Sequence, residues 1–174
     1  MDANLPARSG HHTDAETRVL TAIRSRTVAD FSRLPDPERR LDARFLETLI
    51  AGGVDGMPAL QCAVRILGAD IVGPLRSLPS SRESVGLKLL FRDCRFDSPI
   101  DLSGADVLTL RMVDCTLPAL IGASFTVRAD LDLSGCHIAG ISNYKSDLAE
   151  VRDCAIHLNH ARISGRLLLS TTEV

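Results

Sequence analysis

An eight-residue pattern that recurs through the second half of the chain restricts the fold more than any other feature of the sequence. Four copies can be laid over one another: LLFRDCRF from Leu89, LRMVDCTL from Leu110, LDLSGCHI from Leu131 and AEVRDCAI from Ala149. Their starts are separated by 21, 21 and 18 residues, and a fifth block, LLLSTTEV, begins another 18 residues on at Leu167. A repeat of this length is typical of a protein that stacks one structural unit on the next.

The spacing of apolar residues within each block predicts two very short strands joined by a tight turn. The first, third, sixth and eighth positions are apolar or small, and most other positions are polar. The fifth position is Asp93, Asp114, Gly135 or Asp153, residue types that favour sharp turns. Outward neighbours such as Asp132 are expected to tolerate replacement by Ala. The predicted core consists of Leu89, Phe91, Cys94, Phe96, Leu110, Met112, Cys115, Leu117, Leu131, Leu133, Cys136, Ile138, Val151, Cys154 and Ile156.

Two such blocks per repeat describe a chain that winds once around a four-sided path, which is a β-solenoid. Equivalent residues then stack one strand spacing apart, about 4.8 Å, around a narrow interior. Small and aliphatic side chains fill such an interior best, and aromatic residues make up only 3% of this chain. We therefore predict a mainly β protein: a right-handed, quadrilateral-type β-solenoid of about four to five coils, preceded by two short α-helices.

The step from a small residue to an apolar one two positions later resembles the pentapeptide-repeat family. The step occurs as Ala69-Asp70-Ile71, Cys94-Arg95-Phe96, Ala105-Asp106-Val107, Cys115-Thr116-Leu117, Cys136-His137-Ile138, Cys154-Ala155-Ile156 and Ala161-Arg162-Ile163. The resemblance covers residues 63–174, although here the step recurs mostly every ten or eleven residues instead of every five. Residues 74–86 interrupt it, which predicts an inserted loop. The chain also resembles uncharacterised bacterial proteins built from LxLSGA-type blocks.

The sequence divides into a flexible tail at residues 1–12, a helical N-terminal cap at 13–56 and the solenoid at 57–174. The first helix is expected at about 14–32, where Thr13 and Glu16 have the spacing of a capping box. The second is expected at about 41–51, ending at Gly52-Gly53. Its apolar face should cover the first coil, and that face carries Leu41, Phe45, Leu46, Leu49 and Ile50.

The cysteines and histidines of the repeats do not predict a catalytic or metal site. Cys94, Cys115, Cys136 and Cys154 fall in one column, where Ala also occurs, so we interpret them as small core residues. His157 and His160 are three residues apart, which places them on opposite faces of a strand. No Walker loop, no GxGxxG after a strand and no GxSxG is present. We predict no catalytic, cofactor-binding or metal-binding residues and no cofactor.

One loop is a candidate for binding a partner or ligand. The stretch LRSLPSSRESVGLK, residues 75–88, interrupts the repeat and is rich in polar residues. Its polar centre consists of Ser80, Ser81, Arg82 and Glu83. Loops held by a rigid scaffold often carry function, although a plain solvated loop is the commoner case.

Composition and charge exclude several classes of protein. The chain has 20 Lys and Arg against 22 Asp and Glu, and no Trp, whereas nucleic-acid-binding surfaces are basic and often stack bases on aromatic side chains. No apolar stretch is as long as a membrane span, and residues 1–20 lack the apolar segment of a signal peptide. We therefore expect a cytoplasmic protein that binds neither nucleic acid nor a membrane.

The leading hypothesis is a non-enzymatic scaffold that presents the flat outer faces of the solenoid to a protein partner. A second is an enzyme or a small-ligand-binding protein that uses the loop at 75–88. A third is the N-terminal part of a longer solenoid. The family resemblance also implies a topoisomerase-binding DNA mimic. This ranks lowest because residues 64–174 carry 13 acidic and 12 basic residues instead of a strongly negative surface.

The last block predicts an unfinished core. LLLSTTEV aligns with a repeat block along its whole length, so Leu167, Leu169 and Val174 should point into the interior of a partly built coil. Either the chain is a shortened piece of a longer protein, or two copies meet end to end through their final coils. The resemblance favours the homodimer, since pentapeptide-repeat proteins often associate through their C-terminal ends.

Overall fold

The computed structural model describes residues 12–51, 54, 63–76, 86–145 and 150–174. In these ranges the protein is mainly β, with parallel sheets and two α-helices that precede most of the strands. The helical elements are α1 (Asp14–Ser25), a short 3-10 helix (Asp36–Arg39) and α2 (Ala43–Ile50). The prediction of a mainly β chain preceded by two short helices is therefore confirmed. No helix in the described ranges is long and apolar enough to cross a membrane.

Helix α1 begins as predicted but ends earlier. The side chain of Thr13 accepts a hydrogen bond from the backbone of Glu16, and Glu16 accepts one from the backbone of Thr13, so the capping box is confirmed. The predicted end near residue 32 is wrong, because Arg26 adopts the left-handed conformation with φ 56° and terminates the helix. The chain then forms a two-residue strand, Ala29–Asp30.

Helix α2 is shorter than predicted at its start. Leu41 belongs to a strand, Arg40–Asp42, and Asp42 caps the helix by accepting a hydrogen bond from the backbone of Arg44 at 2.8 Å. The predicted apolar face is buried, with Leu46 and Leu49 fully inaccessible to solvent. Gly52 and Gly53, the predicted end of the helix, lie outside the described residues.

Sheet A contains six parallel strands, and its register follows the repeat. Its strands, in spatial order, are β1 (Ala29–Asp30), β3 (Ala63–Leu67), β5 (Lys88–Arg92), β9 (Thr109–Val113), β13 (Leu131–Asp132) and β19 (Leu167–Leu168). Leu89 pairs with Leu110, and Leu110 pairs with Leu131. The first three predicted blocks therefore lie side by side, each one strand away from the next.

Three smaller parallel sheets and one hairpin complete the fold. Sheet B consists of β2 (Arg40–Asp42), β4 (Asp70–Val72), β6 (Arg95–Phe96), β10 (Thr116–Leu117) and β14 (His137–Ile138). Sheet C consists of β7 (Ile100–Asp101), β11 (Leu120–Ile121) and β17 (Ile156–His157). Sheet D consists of β8 (Asp106–Val107), β12 (Thr126–Val127) and β18 (Arg162–Ile163). The antiparallel hairpin consists of β15 (Ile141–Lys145) and β16 (Glu150–Cys154).

The chain passes through the four parallel sheets in a constant order. Strands β5, β6, β7 and β8 belong to sheets A, B, C and D, and β9 to β12 repeat that order. Each strand from β9 to β12 pairs in parallel with the strand one repeat earlier. The segment predicted as a helical cap also takes part, because β1 pairs with β3 in sheet A and β2 pairs with β4 in sheet B.

The fourth predicted block does not take the place that the alignment gave it. Residues 149–156 were expected beside Leu131, but Leu131 pairs instead with Leu167, 36 residues later. Most of the block lies in the hairpin, where β16 runs antiparallel to β15. The hairpin is therefore an insertion between β14 and β17, and the 18-residue spacings on either side of it were misleading.

The fifth position of the aligned blocks is a left-handed turn, as the residue types predicted. Asp93, Asp114 and Gly135 have φ values of 49°, 54° and 70°, and each joins a strand of sheet A to a strand of sheet B. Gly68 occupies the corresponding place before β4, with φ 71°. A Cβ there would lie 2.7 Å from the Cα of Ser32, so only Gly fits this turn.

The inward positions form one apolar core that is continuous with the helices. Of the residues predicted for it, the structure leaves Cys154 and Ile156 only half buried. Cys154 lies in the hairpin and not in the column of the other cysteines, while Ile156 lies in β17 at the edge of sheet C. Val151 is buried in a separate small cluster between the hairpin and sheet C. The other predicted core residues are all buried.

Candidate interaction surface

The outer face of sheet A forms a broad surface because three of its strands are long. Strands β3, β5 and β9 each have five residues and lie side by side, whereas the strands of sheets B, C and D have two or three. Alternate residues of these three strands point outward, and each of them is half buried or exposed. We call this surface the platform, and it consists of Ala63, Arg65, Leu67, Lys88, Leu90, Arg92, Thr109, Arg111 and Val113.

Aliphatic and cationic side chains alternate across the platform. The strand register places Leu90 between Arg65 and Arg111. In the neighbouring row, it places Arg92 between Leu67 and Val113. Leu67, Leu90 and Val113 are half buried although they face away from the core. Each aliphatic side chain of the platform thus has a guanidinium group on a neighbouring strand.

The cations of the platform differ in how they are neutralised. Arg111 donates to the buried carboxylate of Asp132 at 3.1 Å. Arg92 is 3.8 Å from Asp93 and 3.9 Å from Asp114, which is too far for a hydrogen bond. In the part of the chain that the structure describes, no carboxylate lies within 4.0 Å of the charged groups of Arg65 or Lys88.

Two shallow depressions on this face share Arg65. One, of about 340 Å³, has an apolar floor that includes Leu67, Leu90 and Val113. It is bordered by the exposed side chain of Val28. The other, of about 460 Å³, lies between the end of α1 and the first residues of β3 and β5. It is lined by Ile23, Arg26, Ala63, Arg65, Gly86, Lys88 and Leu108.

The outer face of sheet C, in contrast, is covered by the hairpin. Tyr144 and Val151 of the hairpin pack against Ala119 and Ile121 of sheet C. The Tyr144 hydroxyl donates a hydrogen bond of 2.9 Å to Oδ2 of the buried Asp101. Burial, together with this carboxylate, raises the pKa of Tyr144 to about 12. Sheet C therefore offers little of its surface to a partner.

Asp106 and Asp130 are engaged in separate ion pairs with arginine residues. Asp106 accepts two hydrogen bonds from Arg128, at 2.8 and 2.6 Å, and these lower the pKa of Asp106. Asp130 accepts from Arg166 at 2.6 Å, which lowers its pKa to about 2. These carboxylates remain ionised at neutral pH, and neither is poised to act as a general acid.

Asp132 is buried, against the expectation of a replaceable outward residue. It is only 3% exposed and accepts hydrogen bonds from the backbone and hydroxyl of Ser134, at 3.1 and 2.7 Å, besides the one from Arg111. Burial by itself would raise the pKa of Asp132, but these hydrogen bonds outweigh it and lower the pKa.

The buried cysteines are structural. The thiols of Cys94, Cys115 and Cys136 each lie within 3.4 Å of a backbone carbonyl oxygen. Contact with the two neighbouring thiols and burial raise the pKa of Cys115, so its thiol stays protonated. In the described ranges, no three His, Cys, Asp or Glu residues are arranged to hold a metal ion.

The histidines of the repeat lie apart from one another. His157 is in β17 of sheet C, and His160 occupies a turn with φ 56° before β18. His137 is exposed, and its ring is 3.2 Å from the carboxylate of Glu173. The candidate loop residues Ser80, Ser81, Arg82 and Glu83 lie outside the described residues.

A larger cleft lies on the other side of α1 but has mixed charge. It has a volume of about 750 Å³ and is lined by residues that include Asp14, Arg18, Glu38, Arg40 and Asp42. Its lining carries the acidic residues Asp14, Glu16, Glu38 and Asp42 together with the basic residues Arg18 and Arg40, so both charges occur in it. The platform remains the surface with the more uniform chemistry.

Comparison with known proteins gives no further direction, since no protein-family model, no curated protein and no solved structure matches the chain.

The sequence does indicate the platform, through the residues at the outward positions of the aligned blocks. At the second and fourth positions of the aligned blocks, which face outward, most residues are polar. Leu90, Val113 and Leu168 are the aliphatic exceptions, and Leu90 and Val113 lie in consecutive blocks. Aliphatic residues at outward positions of adjacent blocks indicate a surface patch, because the register brings them close together.

Proposed function

We propose that the protein is a non-enzymatic β-solenoid of the right-handed, quadrilateral type that binds a protein partner through the platform. The constant order in which the chain passes through sheets A, B, C and D supports the winding path. The preference of crossover connections between parallel strands for one hand supports the handedness. The small-x-apolar steps at the sheet corners support a likeness to pentapeptide-repeat proteins.

One observation carries the proposed binding role. The platform exposes Leu67, Leu90 and Val113 between cations, two of which, Arg65 and Lys88, have no carboxylate partner among the described residues. Interfaces commonly combine apolar contacts with arginine in this way. The acidic groups, in contrast, are engaged in the separate contacts described above, which supports a binding protein over an enzyme.

The test compares two double charge reversals of equal net charge. Arg65→Glu with Lys88→Glu changes the platform, while Arg95→Glu with Arg162→Glu changes exposed residues of sheets B and D. Each variant and the unmodified protein are used to capture proteins from cells that express the chain, and the captured proteins are quantified by mass spectrometry. We expect at least one protein to be lost only with the platform variant. Equal capture by all three proteins would contradict the proposal.

A second candidate function, self-association through the final coil, is favoured by a separate observation. Leu167 and Leu169, in and directly after β19, are each 47% exposed. Val174, which follows the residue that bridges to His137, is 79% exposed. Leu167 continues the inward column of Leu131, so its exposed surface belongs to the apolar interior. A second copy that covered this end would be related by a two-fold axis.

Sedimentation velocity over a range of concentrations tests this candidate. We expect the unmodified chain to show a reversible dimer and Leu169→Lys to remain monomeric. Ser170→Lys, at an exposed polar neighbour, should leave the dimer intact. A concentration-independent monomer for the unmodified chain would contradict self-association.

A further inference from the structure

We infer that the partner of the platform is an acidic protein segment that carries aliphatic side chains. This inference rests on the proposed function, since it names the chemistry of the partner for the same surface. Three features of the platform support it: its charge, its apolar floor and the position of Arg65 between the two depressions.

The charge of the surface favours an acidic partner. Arg26, Arg65 and Lys88 line one depression, and none of them forms an ion pair with a described residue. The two carboxylates of sheet A that could neutralise them are already engaged. Asp132 binds Arg111 and Ser134, and Asp30 accepts hydrogen bonds from the backbone and hydroxyl of Ser32, at 2.9 and 2.7 Å. The platform therefore keeps an excess of positive charge for a carboxylate-bearing partner.

The apolar floor favours a protein over a nucleic acid. Leu67, Leu90, Val113 and the exposed Val28 provide aliphatic surface. Phe91 also lines the depression, but it is only 2% exposed and presents no ring face on which a base could stack. A phosphate backbone would satisfy the cations but would leave this aliphatic surface facing polar groups. A peptide that carries Glu or Asp beside Leu, Ile or Val satisfies both features together.

Arg65 determines how such a segment lies on the surface. It borders both depressions and neighbours Leu90 in the register. Among the described residues, its guanidinium group makes a single long contact, 3.5 Å to the backbone oxygen of Arg26, which leaves it available to a carboxylate. A segment with an acidic residue at Arg65 then places an aliphatic side chain over Leu90 and further acidic residues toward Lys88 and Arg26.

The test uses a fluorescein-labelled peptide in which Glu and Leu alternate, separated by Gly to keep it soluble, and reads binding by fluorescence anisotropy. Three matched probes are a peptide with Lys in place of Glu, one with Gly in place of Leu, and an oligothymidylate. We expect the Glu-Leu peptide to bind most tightly and its affinity to fall as the salt concentration rises. We expect Arg65→Glu with Lys88→Glu to weaken its binding about tenfold or more. Arg95→Glu with Arg162→Glu should leave it within about twofold.

Three outcomes would overturn the inference: no preference for the Glu-Leu peptide over the other probes, equal weakening by both double variants, or preferential binding of the oligothymidylate to the platform. Leu90→Ser, which keeps every charge, provides a second variant and should weaken binding of the Glu-Leu peptide but not binding of the Glu-Gly peptide.

If the Glu-Leu peptide fails to bind while the platform variant still loses a captured protein, the partner chemistry is wrong and the proposed function stands. If both experiments fail, the proposed function is wrong as well.

Discussion

Individual acidic residues hold the turns and outer faces of this protein in place. Asp132 occupies an outward position of β13, yet Ser134 and Arg111 enclose it so that it is as inaccessible as a core residue. The alternation of apolar and polar residues along a strand predicts which way a side chain points, and it predicted correctly that Asp132 faces outward. It does not predict burial by neighbouring side chains, because that depends on contacts 21 residues away in the sequence.

Asp132→Ala should destabilise the protein by about 1–3 kcal/mol, because it removes hydrogen bonds to a charged acceptor and leaves Arg111 without its carboxylate. Thr116→Ala, at an exposed outward position of sheet B, should stay within about 0.5 kcal/mol. Urea unfolding followed by circular dichroism measures both. Equal midpoints for the two variants would show that Asp132 contributes no more than a surface residue.

The contribution of Asp130 to stability should depend on acid pH. Hydrogen bonds from Arg166 lower the pKa of Asp130 from 3.8 to about 2 in the folded protein. A carboxyl whose pKa is lower in the folded protein than in the unfolded chain stabilises the fold at any pH above its unfolded-state pKa. For Asp130 this stabilisation is lost as the pH falls from about 4 to about 2. The difference in unfolding free energy between the unmodified protein and Asp130→Asn should therefore be constant above pH 5 and shrink toward about pH 2. A difference independent of pH would contradict the ion pair.

At the scale of elements, the hairpin is the feature that sequence reasoning could not place. AEVRDCAI fits the block pattern at five of its positions, and its spacing from both neighbours is close to one repeat. The structure nevertheless inserts it as an antiparallel strand over sheet C, where Val151 and Tyr144 pack against Ala119 and Ile121. A sequence pattern specifies which residues are apolar, whereas the choice between two apolar surfaces is made by tertiary packing.

Tyr144 reports on the hairpin directly, since it is the single tyrosine of the chain. Its phenol should ionise near pH 12, because burial and the Asp101 carboxylate both disfavour the phenolate. Asp101→Asn should lower that pKa toward the ordinary value of 10.0. The absorbance change of the phenolate on alkaline titration measures both. A tyrosine that titrates near 10 in the unmodified protein would mean that the hairpin does not cover sheet C.

A phenol whose pKa is higher in the folded protein than in the unfolded chain stabilises the fold at any pH below its unfolded-state pKa. The stabilisation from Tyr144 should therefore be complete at neutral pH. It should be lost as pH rises from about 10 to about 12.

Helix α2 buries the apolar face that was predicted for it, and a charge on that face should prevent folding. Leu46 and Leu49 are fully buried, so Leu46→Lys places an ammonium group in the core without a partner. We expect aggregation on expression. Thr48→Lys, at a half-exposed position of the same helix, should remain soluble. Size-exclusion chromatography separates the outcomes, and a folded, monomeric Leu46→Lys protein would refute a structural role for this face.

At the scale of the whole molecule, the sequence predicted the periodic part of the fold but not the surface on which we place function. The mainly β architecture, the N-terminal helices and the turn positions followed from the period of apolar and turn residues, because local spacing determines them. The platform did not follow, since it depends on β3, β5 and β9 being longer than the other parallel strands and lying side by side. The candidate loop at 75–88 was chosen because it interrupts the repeat, whereas the platform lies within the repeat itself.

The most direct measurement of the central claim is site-specific photo-crosslinking in cells that produce the protein. A benzophenone amino acid is placed at position 90 on the platform, at 116 on sheet B and at 162 on sheet D, one position in each variant. All three side chains point outward, so the variants differ only in the face that they probe. The account predicts a discrete protein adduct from position 90 and little from the other two. Adducts of equal yield from all three positions, or adducts confined to 116 or 162, would contradict it.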